Sequence, residues 1–193
     1  MYKRQARLGG LSLVVGAALH AALAAILPDD AGLALKWPND VLLDGRKLAG
    51  ILIELAAGDA TRSTVVIGIG LNLRAAPAPA EAAHDSAAPH ALARAHLSER
   101  LPDTAALGDT VLERFLPQLA EALRTFESEG FAPFAASWWQ AHAFADRDVV
   151  LYENGRPTLQ GRAAGVDAQG QLLIDDGTAL RPILSGDVSL RPA

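Results

Sequence analysis

The sequence predicts an α+β protein in two parts, a helix-flanked sheet followed by a small β-barrel. Three observations carry this. Residues 33–73 hold four short apolar or β-branched runs separated by turn signals. Residues 108–129 place apolar side chains at three- and four-residue spacing, as an amphipathic helix does. After Phe144, short apolar runs alternate with Asn154-Gly155, Gln169-Gly170, Asp176-Gly177 and Ser185-Gly186, the rhythm of a small barrel. We therefore expect a boundary near Phe144, with an N-terminal segment over 1–10, a first domain over 11–143 and the barrel over 144–193.

Composition bounds the function. The chain has 193 residues, 17 Lys+Arg against 22 Asp+Glu, and a net charge of −5 without a basic block, so nucleic acid is not an expected partner. Hydrophobic residues are 50%, enough for a packed core. With no cysteine, a disulfide scaffold, a thiolate zinc site and a cysteine nucleophile are excluded. The histidines His20, His84, His90, His96 and His142 show no His-Glu-x-x-His spacing and are given no chemical role.

The elements follow in order. Met1–Gln5 reads as a non-native scar. Leu8 to Leu27 has no charged residue, which admits a signal or membrane reading. Gly9, Gly10, Gly16, His20 and the many alanines favour a buried strand over Leu11–Val15 and a helix over Ala17–Leu27, ended by Pro28. A cytoplasmic protein without a membrane span is expected. Leu33–Trp37, Val41–Leu43, Leu48–Ala57 and Thr64–Leu73 are strands of a mostly antiparallel meander, with Asp44-Gly45 as a hairpin turn. Ala75–Pro89 reads as a loop and Ala91–Arg100 as a short helix. In the long helix Val111, Leu112, Phe115, Leu119, Leu123 and Phe126 form the apolar stripe, Asp109 is the expected N-cap, Gly130 the C′ residue, and Pro117 a kink or break. Phe131–His142 is a further helix with Trp138 and Trp139 as core anchors.

Three short motifs carry candidate chemistry. In Lys36-Trp37-Pro38-Asn39-Asp40, Asn39 and Asp40 present oxygen ligands of the kind Mg²⁺ uses, or bond local backbone as a turn. In Gly45-Arg46-Lys47-Leu48-Ala49-Gly50-Ile51-Leu52-Ile53-Glu54, a cation beside a strand glycine suits a phosphate approaching backbone, or is a solvated hairpin end. In Val65-Val66-Ile67-Gly68-Ile69-Gly70-Leu71-Asn72-Leu73, glycines within a β-branched run imply close approach of a ligand or another backbone. The run lacks the third glycine and following helix of a dinucleotide fingerprint.

Together, in this order and spacing, the motifs resemble the biotin protein ligases, also called biotin–[acetyl-CoA-carboxylase] ligases. The resemblance runs from near Leu11 through Phe126-Glu127-x-x-Gly130 and the tryptophan segment to Gly186-Asp187-Val188-Ser189-Leu190-Arg191. It implies a partial class II synthetase-like catalytic domain with a mixed sheet, related to lipoate ligases, and a small SH3-like barrel. It implies that biotin and ATP react, with Mg²⁺, to biotinyl-5′-AMP, and that a lysine of a biotin carboxyl carrier domain then takes the biotin. Carried across, it implies that Lys47 contacts biotin and adenylate, with Asp40 as a second catalytic residue. Gly50, Leu52, Gly68 and Gly70 then line the biotin pocket. Asn39, Asn72 and Arg191 serve the nucleotide, and Asn39 and Asp40 the metal.

The sequence departs from the family in lacking a Ser/Thr-rich biotin segment and a Gly-Arg-Gly-Arg-type loop before residue 11. The expectation is therefore an N-terminally truncated ligase with severely impaired adenylation. Its open sheet edge is expected to pair with a second copy as a homodimer. The alternatives are an inactive remnant that binds a partner and a lipoate-type acyl ligase.

Overall fold

The computed structural model describes residues 8–58, 63–75, 92–102, 104–153, 155–184 and 188–193. The scar over Met1–Gln5, most of the Ala75–Pro89 loop with His84 and His90, Asn154 of its turn, and Ser185-Gly186-Asp187 lie outside the described residues.

The first element corrects the sequence reading. Leu11–Val15 is not a strand; it opens helix α1, which runs unbroken over Leu11–Ala24. The helix enters through Gly10 at φ 81, where a Cβ would stand 2.7 Å from Phe131 Cβ. Leu11, Leu13, Val14, Val15, Ala18, Leu19, Ala22 and Leu23 are all buried. A helix enclosed on most sides has no clear apolar stripe, so its β-branched start imitates a strand. Gly16 seats it on the sheet: a Cβ there would lie 3.5 Å from both Ile51 Cδ1 and Leu35 Cδ2. No helix among the described residues is long and apolar enough to cross a membrane.

The sheet under α1 is β1 (Leu33–Lys36), β2 (Asp40–Leu43), β3 (Arg46–Gly58) and β4 (Ser63–Leu71), in the order β1-β2-β3-β4. These strands pair antiparallel; among the described residues, the parallel component of the expected mixed sheet is confined to two isolated bridges, Leu35 to His142 and Lys47 to Arg94. Asp44 and Gly45 both have positive φ, 51° and 73°, as the tight turn between right-twisted strands requires. Side chains alternate along β3 and β4. Ala49, Ile51 and Ile53, beside Leu71, Ile69 and Ile67, face the core, while Gly50 and Leu52, opposite Gly70 and Gly68, face away.

The expected helix at Ala91–Arg100 is also corrected. Arg94 bridges Lys47, and only Leu97–Glu99 turns, as one 3₁₀ segment. Backbone bonds to β3 and Asn72 compete successfully with local helix formation here. Helix α2 (Leu107–Glu129) packs on α1 through Val111, Phe115 and Ala122. Leu112, expected in that stripe, is exposed at its edge. Ala106, not Asp109, is the N-cap, and Asp109 instead places its charge in the first turn, where the helix dipole favours it. Pro117 does not divide the helix. It is exposed, so the carbonyl it leaves unpaired is on the solvent side. The expected helix over Phe131–His142 is two pieces, a 3₁₀ turn over Ala132–Phe134 and α3 (Ala135–Gln140), with Trp138 buried.

A second, antiparallel sheet comprises β5 (Asp148–Glu153), β6 (Arg156–Val166), β7 (Leu172–Asp175), β8 (Leu180–Ile183) and β9 (Val188–Pro192), in the order β8-β7-β6-β5-β9. It shares one core with the first sheet: Val149, Leu151, Ala163, Leu172, Ile174 and Leu190 join the same buried cluster as α1. The seam is specific. Trp37 Nε1 donates to Gly170 O at 3.1 Å, and a Cβ on Gly170 would lie 2.6 Å from Gly10 Cα. Leu35 exchanges backbone hydrogen bonds with Ala141 and Ala143 on the chain that leads into β5.

Candidate functional site

The site begins where β1 turns into β2. Lys36 and Asp40 are opposite each other in the register, so the turn between them brings a cation and a carboxylate face to face. Lys36 Nζ donates to Asp40 Oδ2 at 3.0 Å, and the two side chains are buried. Asn39 ties the turn to β3: its Nδ2 donates to Ile51 O at 2.8 Å, and Ile51 N donates to Asn39 O at 2.9 Å.

Asp40 is a junction. Its other oxygen, Oδ1, forms an ion pair with Lys47 Nζ at 2.6 Å. Arg191 of β9 feels the same carboxylate. Burial raises the Asp40 pKa, but Lys36 and Lys47 together outweigh it and hold the carboxyl below its usual range. Burial lowers the Lys36 pKa, Asp40 offsets part of this, and the charges of Arg191 and Lys47 add to the lowering. Burial likewise lowers Arg191, against the pull of Asp40. Three cations thus surround one carboxylate, leaving the cluster net positive.

Lys47 is held by its backbone, and its ammonium pairs with Asp40 while the side chain stays partly exposed. Its N donates to Ala93 O at 2.8 Å, and its O accepts from Ala95 N at 2.9 Å and from Asn72 Nδ2 at 3.2 Å. Arg46 pairs with Glu99, which secures the same strand to the 3₁₀ turn. The Lys47 side chain is 42% exposed and crosses over Gly50, where a Cβ would stand 3.1 Å from Nζ and 3.2 Å from Cε. Beyond it Gly50 pairs with Gly70, and Leu52 with Gly68. A Cβ on Gly70 would meet nothing within 4 Å, and Leu52 is 59% exposed. The result is a low glycine floor with an apolar rim, ending at a cation cluster. It suits a flat apolar molecule that carries an anion at one end.

Of the residues singled out from sequence, Lys47, Asp40 and Gly50 lie together, and Arg191 joins them from the second sheet. Leu52, Gly68 and Gly70 extend the same face. Asn39 and Asn72 adjoin the cluster, but each commits its amide nitrogen to β3 backbone. The sequence reading passed over Lys36 as a site residue, although an opposite charge across a tight turn was visible in Lys36-Trp37-Pro38-Asn39-Asp40.

The pair Asn39 and Asp40 does not fit a magnesium ion. Both Asp40 oxygens face ammonium groups and the local charge is positive, which repels a dication. No cluster of three or more His, Asp or Glu residues poised for a metal occurs among the described residues. The turn alternative is the one realised for Asn39.

Residues 6–72 match the biotin/lipoate A/B protein ligase family and residues 149–191 the biotin protein ligase C-terminal domain. The bifunctional ligase/repressor BirA of Escherichia coli is 32% identical over 95% of this chain and 54% of its own length. The biotin–[acetyl-CoA-carboxylase] ligase of Paracoccus denitrificans is 33% identical over 85% of this chain and 65% of its own. The chain therefore spans between about half and two thirds of these curated relatives' length. A biotin protein ligase from Aquifex aeolicus, solved with biotin and ATP, superposes with a TM-score of 0.75 at 28% identity, covering 96% of this chain and 72% of that one.

Proposed function

The chain belongs to the biotin/lipoate A/B protein ligase family and carries the C-terminal domain of biotin protein ligases, and from that premise we propose that it activates biotin with ATP and passes the biotinyl group to a lysine of a biotin carboxyl carrier domain. The observation that supports this most is the junction of Lys47, Asp40 and Gly50 at the end of an open glycine floor. The match of residues 149–191 to a biotin ligase domain favours biotin over lipoate.

In this reading the apolar body of biotin lies over Gly50, Gly68 and Gly70 beside Leu52, and its carboxylate reaches Lys47. A carboxylate oxygen attacks the α-phosphorus of ATP, the bond to the β-phosphate oxygen breaks, and pyrophosphate leaves. Two anions must meet for this, and Lys47 and Arg191 offset their repulsion as fixed charges. Asp40 holds the Lys47 ammonium over Gly50, and Asn39 and Asn72 hold the strand beneath it. The carrier amine then attacks the carbonyl of the mixed anhydride, AMP leaves with the bonding pair, and the amine gives up a proton. Residues 11–143 supply the biotin side and residues 144–193 supply Arg191. The proposed use of ATP is in keeping with a cytoplasmic setting. Edge strand β4, which ends the sheet order, is the proposed seam for a homodimer.

The test is biotin-dependent exchange of labelled pyrophosphate into ATP by the 193-residue chain. Exchange that requires biotin supports the reading. Folded protein that binds neither biotin nor ATP would remove it.

A further inference from the structure

Across the open face of the first sheet the facing positions form rows. Leu52 faces Gly68 and Gly50 faces Gly70. Next along β3 comes Lys47, whose neighbour is Arg94 through a parallel bridge. Backbone alone builds that bridge: Lys47 N donates to Ala93 O at 2.8 Å, and Ala95 N donates to Lys47 O at 2.9 Å. Facing positions in a sheet send their side chains to the same side. Burial agrees, since Ala95 and Leu97 are sunk in the core and Arg94, one residue before, is exposed. Two cations therefore stand side by side where the glycine floor ends, with Asp40 flanking Lys47 from β2 and Arg94 flanking it from the other edge.

Like charges on facing positions destabilise a sheet, and Arg94 is not compensated as its neighbours are. Arg46 pairs with Glu99 and Arg100 with Asp44. Among the described residues the Arg94 guanidinium has no hydrogen bond or ion pair, while its carbonyl accepts from Arg46 Nη1 at 3.4 Å, which fastens the backbone that carries it. We propose that Arg94 binds the leaving phosphates of ATP: its guanidinium, beside Lys47 on the side away from Asp40, takes the β- and γ-phosphates while Lys47 meets the carboxylate and the α-phosphate. The identity of this anion rests on the reaction proposed above; the pairing of the two cations does not. A guanidinium presents a planar fork of donors that matches two phosphate oxygens. Its fixed charge offsets the charge that builds on the β-phosphate oxygen as pyrophosphate leaves.

Calorimetric titration of the 193-residue chain with ATP, AMP and inorganic pyrophosphate, in the absence of biotin, tests this. Arg94→Ala is expected to weaken ATP and pyrophosphate at least about tenfold, as loss of a charge-assisted hydrogen bond does, and to leave AMP within about twofold. Arg94→Gln keeps the stem and loses the charge; it is expected to show the same pattern, and it covers an alanine variant that does not fold. Arg114→Ala removes an exposed helical arginine and is expected to match wild type, which separates a local contact from net charge. Unchanged ATP affinity in Arg94→Gln, AMP weakened as much as ATP, or an equal loss in Arg114→Ala would overturn the proposal. Pyrophosphate bound through Arg94 without biotin-dependent exchange would remove the proposed reaction and keep the anion site. Exchange by wild type with unchanged ATP affinity in Arg94→Gln would remove the anion site and keep the reaction.

Discussion

Lys47 lays its ammonium across Gly50, at the position where a Cβ on that glycine would stand 3.1 Å from Nζ. The lysine tip ends a flexible side chain, whereas strand β3 is paired on both sides, so a side chain at residue 50 moves the lysine. We predict that Gly50→Ala changes stability by less than about 1 kcal/mol, because the obstacle is the far end of a flexible chain, yet lowers biotin-dependent exchange at least tenfold. Thermal unfolding beside exchange kinetics checks this. An alanine variant with full activity would show that the Lys47 position over Gly50 is incidental.

Asp40 carries a different expectation. Asp40→Ala strands Lys36 in the core without its partner, and loss of one member of a buried pair costs about 3 kcal/mol. The urea midpoint should drop accordingly, and activity should fall with it. A variant as stable as wild type would mean that Lys36 sheds its charge or finds water.

His142 links stability to pH. The ring stacks on Trp138 with centroids 4.9 Å apart. Its Nδ1 lies 3.0 Å from Leu35 O and fits a donor there, while Nε2 is buried with no hydrogen-bond partner among the described residues. Burial outweighs the bond to Leu35, Lys36 adds its repulsion, and the pKa is pushed down to about 4 from 6.5. The unfolded chain therefore takes up a proton first as pH falls, and the native state loses stability between pH 6.5 and about 4. The loss reaches about 3 kcal/mol when complete. Above pH 6.5 the contribution is fully present. Urea midpoints across this window should slope downward with acid in wild type and less steeply in His142→Asn. Equal slopes would assign the acid sensitivity elsewhere.

Trp37 tests the seam between the sheets. Trp37→Phe keeps the aromatic bulk but deletes the donor to Gly170 O. A buried carbonyl left without its partner costs about 1–2 kcal/mol. Because the same seam places Arg191 near Asp40, the KM for ATP should rise together with the loss of stability. Hydrogen exchange confined to the 167–171 turn would locate the effect, and unchanged protection there would count against it.

The legible parts of the fold were those whose signals are local. Asp44-Gly45 announced its hairpin, and apolar runs bounded by turn signals announced strands β1 to β4. Helix α1 was legible from Ala17 onward, but its start was not, because Leu11, Val14 and Val15 are buried by neighbours on several sides and leave no stripe to read. The 94–100 segment takes its form from Lys47 and Asn72, far away in sequence. The site divides in the same way. Lys47 and Gly50 stand three residues apart on one strand, and Asp40 opposes Gly50 across the β2–β3 register. Arg191 is about 140 residues further on, and no spacing rule reaches it; only the family resemblance pointed there. Lys36 was hidden in plain view, since a lysine at a strand end is ordinarily solvated.

In the proposed reaction Lys47 meets the biotin carboxylate and the nucleotide at this junction. Biotin transfer to a carrier domain with ATP and Mg²⁺, followed by streptavidin blotting, tests this directly in wild type and Lys47→Ala. We predict labelling by wild type and none by Lys47→Ala at equal folded concentration. Undiminished labelling by Lys47→Ala would contradict it.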